Sequence, residues 1–152
     1  MFDKLLNSQL QKAIDKSGFT KPTPIQNKVI PLVLEKYDIL ARAQTGSGKS
    51  ASFILPILEL LSRNIKPGKE KIKVLVLAPT RELTLQLSKS FEDFSFYLSK
   101  KPKVVSLIGG ESIGNQLYDI QQGCDVLVAT SGRFLDVVSK KQMNLSSVEF
   151  LF

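Results

Sequence analysis

Residues 74–77 and 126–128, within strands predicted over 73–78 and 125–129, are apolar at every position rather than at alternate ones, the pattern of strands covered on both faces. Shorter apolar runs predict further strands over 38–42, 103–108 and 148–152. Between them the chain predicts helices over 9–16, 24–35, 49–63, 81–98, 111–122 and 132–139. Asn7 or Ser8 can cap the first helix, and Gly18 ends it. Thr23 followed by Pro24 gives the second helix a cap and a proline at its first position. Pro31 should kink that helix or split it in two, and Pro56 should bend the next one. Residues 65–71, with Pro67 and Gly68, read as a polar loop. Strands alternating with helices predict an α/β fold, an open parallel sheet with helices on both faces. Ligands bind such sheets at the carboxyl ends of the strands. That expectation puts four loops on one rim: residues 43–49, 79–82, 109–110 and 130–133.

Composition narrows the chemistry. A chain of 152 residues with 43% hydrophobic and 23% charged residues suits a single soluble core. Histidine is absent, which excludes an imidazole base and a histidine metal site. The formal net charge of +7 favours a polyanionic partner. Cys124 is the one cysteine, so no internal disulfide can form, as suits a reducing, cytoplasmic setting. Without histidine to activate it, Cys124 reads as a small residue at a strand entrance rather than a nucleophile. The first ten residues are too polar for a signal peptide, and no apolar run approaches the length that spans a membrane.

The strongest local signal is Ala43-Gln44-Thr45-Gly46-Ser47-Gly48-Lys49-Ser50. This has the phosphate-loop spacing, with alanine in place of its first glycine. Gly46 and Gly48 let the backbone curl so that successive N–H groups point at a phosphate. The helix that follows adds the partial positive charge of its N-terminus. Lys49 can place its ammonium between the β- and γ-phosphates of a nucleotide, and the Ser50 hydroxyl suits Mg²⁺. Such a loop alone leaves kinases, GTPases and motor ATPases open.

Four further segments narrow the choice. Gly18-Phe19-Thr20-Lys21-Pro22-Thr23-Pro24-Ile25-Gln26, with Phe2 upstream, resembles the Q motif of DEAD-box RNA helicases. Pro79-Thr80-Arg81-Glu82-Leu83-Thr84-Leu85-Gln86 resembles their motif Ia, Gly109-Gly110 their glycine doublet, and Thr130-Ser131-Gly132-Arg133 their motif Ib. The order is the family's, and the resemblance covers essentially the whole chain. It implies a RecA-like fold: a Q-motif helical region over 1–35, then a partial ATP-binding domain over 36–152. It implies ATP and Mg²⁺ as cofactors. Nucleotide contacts would come from Phe2, Phe19, Lys21, Gln26 and the loop from Ala43 to Ser50, with Lys49 and Ser50 in the catalytic role. RNA-backbone contacts would come from Pro79, Thr80, Arg81, Gly109, Gly110, Thr130, Gly132 and Arg133.

The side chains agree with these roles. The Gln26 amide pairs a donor with an acceptor, the order shown by the N6/N7 edge of adenine and not by guanine. Phe2 offers either a stacking face for the base or a core anchor for the first helix; the resemblance favours stacking. Loops at strand ends where helices begin suit phosphate oxygens, and such contacts carry little sequence preference. Helix capping alone would explain Thr80 and Thr130 but leaves Arg81 and Arg133 unexplained. Ser131 stands where the family has proline. Residues 148–152 resemble the strand that leads into the family's Asp-Glu-Ala-Asp motif, which lies beyond Phe152. The resemblance therefore implies a second RecA-like domain as partner, and binding without turnover by these residues on their own. A non-catalytic module for adenine nucleotides or RNA is the alternative reading.

Overall fold

The computed structural model describes residues 2–64 and 71–152, without the side chain of Asp3. Most of the polar loop expected over 65–71 lies outside the described residues. The chain divides into two compact units, Met1–Ile65 with Ser90–Lys101, and Lys66–Lys89 with Pro102–Phe152. In this grouping the phosphate loop and its helix share a unit with the preceding helices.

The first unit is helical. A short helix, α1 (Phe2–Leu5), precedes α2 (Ser8–Lys16), α3 (Pro24–Leu34) and α4 (Lys49–Asn64). Asn7 caps α2, its side-chain oxygen accepting from the N–H groups of Gln9 and Leu10 at 3.0 Å each. Thr23 and Gln26 close a reciprocal capping box at the start of α3, which satisfies two N–H groups that a helix start leaves unpaired. Leu10, Ile14, Ile30, Ile54, Leu55, Ile57 and Leu58 are at most 1% exposed and fill this core. Glu59 lies among them, 4% exposed. Its carboxylate accepts from Asn7 N at 2.7 Å, Asn7 Nδ2 at 2.8 Å and Arg63 Nε at 2.9 Å. A buried carboxylate requires such partners.

One expectation for this unit fails and another is narrowed. Residues 38–42 form no strand. A strand exists only with a neighbour to take its N–H and C=O groups, no described strand pairs with this segment, and Leu40 is fully exposed. Of the two outcomes expected at Pro31 the split is absent, since α3 runs continuously from Pro24 to Leu34. The carbonyl it leaves without an N–H belongs to Asn27, an exposed residue that water can reach.

The second unit is built on a fully parallel four-stranded sheet of order β2-β3-β1-β4. Its strands are β1 (Val74–Ala78), β2 (Val104–Leu107), β3 (Val126–Thr130) and β4 (Phe150–Leu151). The two uninterrupted apolar runs are the central strands β1 and β3. Helices α6 (Ile113–Gln121) and α7 (Ser131–Ser139) cover one face, packing Ile113, Leu117, Ile120, Phe134 and Val137 on Leu75, Val105, Leu107 and Leu127. Ser106 points to the opposite face and shares a 2.7 Å hydrogen bond with Ser88. Ser88 belongs to α5 (Arg81–Ser95), so helices lie on both faces as expected. Helix α5 ends three residues earlier than its apolar pattern predicts, in a turn in which Leu98 N–H donates to Ser95 O at 2.9 Å. Strand β4 is two residues long rather than five.

Candidate nucleotide and nucleic-acid sites

In the first unit, the loop from Ala43 to Gly48 leads into α4. Gly46 and Gly48 have φ of 80° and 84°, the left-handed region that other residues enter at a cost. The Lys49 ammonium donates to the Ala43 carbonyl at 2.6 Å, closing the loop on itself. The Ser47 hydroxyl similarly donates to Gln44 O at 2.7 Å. Gln44 and Thr45 are exposed, and Ser50 is half-buried in the first turn of α4.

Gln26, expected to read the base, is buried. It is 1% exposed. Its Oε1 accepts from Thr23 N–H at 3.0 Å, and its Nε2 donates to Gly48 O at 3.2 Å. The side chain therefore ties the cap of α3 to the phosphate loop. A Cβ at Gly48 would stand 2.5 Å from Nε2, so a side chain there would have to displace the Gln26 amide. Nothing in the local sequence announces this bond across 22 positions.

Phe2, Phe19 and Lys21 do come together, around a cleft of about 170 Å³ also lined by Gln11, Ile14 and Asp15. Gln26 is not in its lining. Phe2 is 8% exposed and mainly anchors the core. Phe19 stacks on Phe94 with ring centroids 6.2 Å apart and remains 36% exposed, so it carries the more open face.

In the second unit, three of the expected loops follow the carboxyl ends of β1, β2 and β3. Ala78 is in register with Thr130, so the segments beginning at Pro79 and Ser131 leave adjacent strands. The Thr80 hydroxyl accepts from Leu83 N–H at 3.1 Å and caps α5. Thr130 makes no such bond at the start of α7, so capping does not explain it. Pro79, Thr80, Arg81, Gly110 and Gly132 are exposed. Gly110 has φ of 79°, and a Cβ there would collide with Arg81 Nη1, so the guanidinium lies directly over the glycine turn. Arg133 is half-buried; its Nη1 and Nη2 each donate to Glu111 O at 3.3 Å, and Nη1 also to Gln116 Oε1 at 3.4 Å.

Among the described residues no group of three or more His, Cys, Asp or Glu could hold a metal ion. The lone Ser50 hydroxyl suits only an ion held mainly by phosphate oxygens and water, as Mg²⁺ commonly is. Cys124 is buried, and burial followed by the nearby Asp125 charge pushes its thiol up to about 12, which leaves it inert.

Residues 23–152 match the family described as DEAD/DEAH box helicase. The chain belongs to that family. It is 45% identical over 143 residues to the ATP-dependent RNA helicase DeaD of Buchnera aphidicola subsp. Schizaphis graminum, covering 94% of this chain and 23% of that protein. It is 40% identical over 151 residues to DEAD-box ATP-dependent RNA helicase 21 of Oryza sativa, covering 96% and 20%. Among solved structures, a DEAD box protein from Methanococcus jannaschii superposes with TM-score 0.88 at 38% identity, over 99% of this chain and 40% of that one. The RNA helicase Prp28 from Chaetomium thermophilum, bound to ADP, gives TM-score 0.85 at 34% identity, over 96% and 35%. The chain thus spans about a quarter or less of these curated relatives. These likenesses bear out the RecA-like α/β fold and the DEAD-box family expected from the sequence. No helix among the described residues is long and apolar enough to cross a membrane.

Proposed function

We propose that this chain is the part of an ATP-dependent RNA helicase that grips ATP and the RNA backbone. The observation that carries the reading is the loop at the head of α4. Two glycines at positive φ turn its backbone, and the Lys49 ammonium sits 2.6 Å from the Ala43 carbonyl. Lys49 exchanges that neutral acceptor for the phosphates, a stronger charge-assisted partner, and the loop opens around them. The first N–H groups of α4 then face the phosphates at the positive end of the helix. Mg²⁺, arriving with the triphosphate, supplies charge neutralisation; Ser50 offers its hydroxyl to it.

The base end rests on Phe19, with Phe2 and Lys21 beside it. Gln26 keeps one N–H and one lone pair beyond its bonds to Gly48 and Thr23. Through these it would read adenine in preference to guanine, once nucleotide binding uncovers it. Gln26→Ala therefore relaxes the preference for ATP over GTP.

For RNA, the reading rests on three loops at the strand ends of one sheet. The N–H groups at the start of α7, left uncapped by Thr130, suit a backbone phosphate. Arg81 adds charge beside the narrow Gly109–Gly110 turn. These are backbone contacts, so sequence preference is slight, and 2′-hydroxyl contacts would set RNA apart from DNA. We assign the rest of the RNA grip and the remaining catalytic groups to a second RecA-like domain, as the family resemblance implies. On the same reading the carboxylates for hydrolysis belong to the family's Asp-Glu-Ala-Asp motif, and these 152 residues on their own bind nucleotide without turnover. A cytoplasmic setting belongs to the same proposal.

The test is RNA-stimulated ATP hydrolysis by the intact helicase containing this domain. Lys49→Ala should abolish it. Undiminished turnover in that variant overturns the proposal.

A further inference from the structure

We propose that Gln116 is a positioning residue that locks the Gly109–Gly110 turn to Arg133, so that two RNA-backbone contacts form as one unit. This rests on the RNA reading above. Gln116 sits in the first half of α6, 5% exposed. Its Nε2 donates to Ile108 O at 3.0 Å, immediately before the glycine doublet, and lies 3.5 Å from Glu111 Oε2. Its Oε1 accepts from Arg133 Nη1 at 3.4 Å. Arg133 in turn donates twice to Glu111 O, immediately after the doublet, at 3.3 Å.

The turn is therefore held at both ends by two side chains that are bonded to each other. An amide of this length suits position 116. It must donate to a carbonyl and accept from a guanidinium at once. A carboxylate would satisfy Arg133 but repel Ile108 O; an apolar chain of the same length would satisfy neither. The glycines leave the turn no side chains of its own with which to hold its shape, while Gly110 lies beneath Arg81. Gln116 thereby sets the position of the turn under Arg81 and of Arg133 beside it, without touching RNA itself.

The experiment uses the intact helicase and a fluorescently labelled single-stranded RNA, with affinity read by anisotropy. Gln116→Met keeps the volume and removes both bonds. It should raise the RNA Kd about 3- to 10-fold, the scale of one or two lost hydrogen bonds, and leave ATP affinity unchanged. In an Arg133→Ala background the same change should have a smaller effect, that of the lost Ile108 bond alone. Gln116→Glu, which retains the Arg133 bond, should fall between wild type and Gln116→Met. A wild-type RNA affinity in folded Gln116→Met overturns the inference. So does an effect that persists undiminished without Arg133, which would show general loosening. If Gln116→Met does not fold, the Gln116→Glu and Arg133→Ala pair decides by the same criterion. Loss of RNA binding in Arg81→Ala alongside a normal Gln116→Met would sink this inference and spare the RNA reading. Failure of the wild type to bind RNA would sink both.

Discussion

Gly46 and Gly48 differ in one respect that can be measured. Both have positive φ, so alanine at either costs about 1–2 kcal/mol of backbone strain. At Gly46 an added Cβ meets nothing within 4 Å. At Gly48 it meets Gln26 Nε2 at 2.5 Å and Thr23 Oγ1 at 3.2 Å. The amide must then leave its place. That breaks its bond to Gly48 O at 3.2 Å and its bond from Thr23 N at 3.0 Å, both made by a side chain that is 1% exposed. At about 1 kcal/mol per neutral hydrogen bond, the extra cost is about 2 kcal/mol. Gly48→Ala should therefore destabilise by about 3–4 kcal/mol and Gly46→Ala by about 1–2 kcal/mol. Urea denaturation followed by circular dichroism measures both. In a Gln26→Ala background the gap between the two should close, because the obstructing amide is gone. Equal losses in the wild-type background, or a gap that survives Gln26→Ala, would refute the brace between the Q-motif helix and the phosphate loop.

Glu59→Ala leaves the backbone N–H and the capping amide of Asn7 without their carboxylate acceptor; thermal unfolding should show a loss of about 3 kcal/mol, with Glu59→Gln losing less. The Cys124 thiol has its pKa raised from 9.0 to about 12 on folding, so its stabilising contribution is complete below pH 9 and is lost as pH rises toward 12. Wild type should accordingly lose more urea stability than Cys124→Ala between pH 9 and 11; parallel losses would contradict the burial. Arg81→Ala should weaken RNA binding and lower the slope of log Kd against log salt by about one, as removal of one phosphate contact requires; an unchanged slope would remove Arg81 from the interface.

What the sequence disclosed follows from how local each feature is. The strands β1 and β3 stood out because they are buried on both faces and so are apolar at every position. The start of α3 stood out because a capping threonine and a proline at the first helical position are adjacent, whereas the return bond from Gln26 that completes the capping box did not. The phosphate loop was legible because its glycines serve its own backbone. Residues 38–42 misled because strand formation depends on a partner that local composition does not supply. Gln26 had the right amide for an adenine edge, yet its burial comes from a bond to Gly48 that lies far along the chain. Phe2 carried two readings, and 8% exposure favours the anchor over an open stacking face. Glu59 left one trace, a carboxylate inside an apolar helix face with arginine four positions on. Gln116 left none, since its bonds join three elements that only the folded sheet brings together.

The central claim is that residues 43–50 open to hold the phosphates of an adenine nucleotide, with Lys49 transferring from the Ala43 carbonyl to the ligand. Titration calorimetry of the purified chain with ATP and Mg²⁺, beside Lys49→Ala and beside GTP, tests it most directly. The account predicts saturable heat with ATP, a much weaker response with GTP, and none with Lys49→Ala. Equal binding by the alanine variant, or no uptake of ATP by the folded wild type, would contradict it.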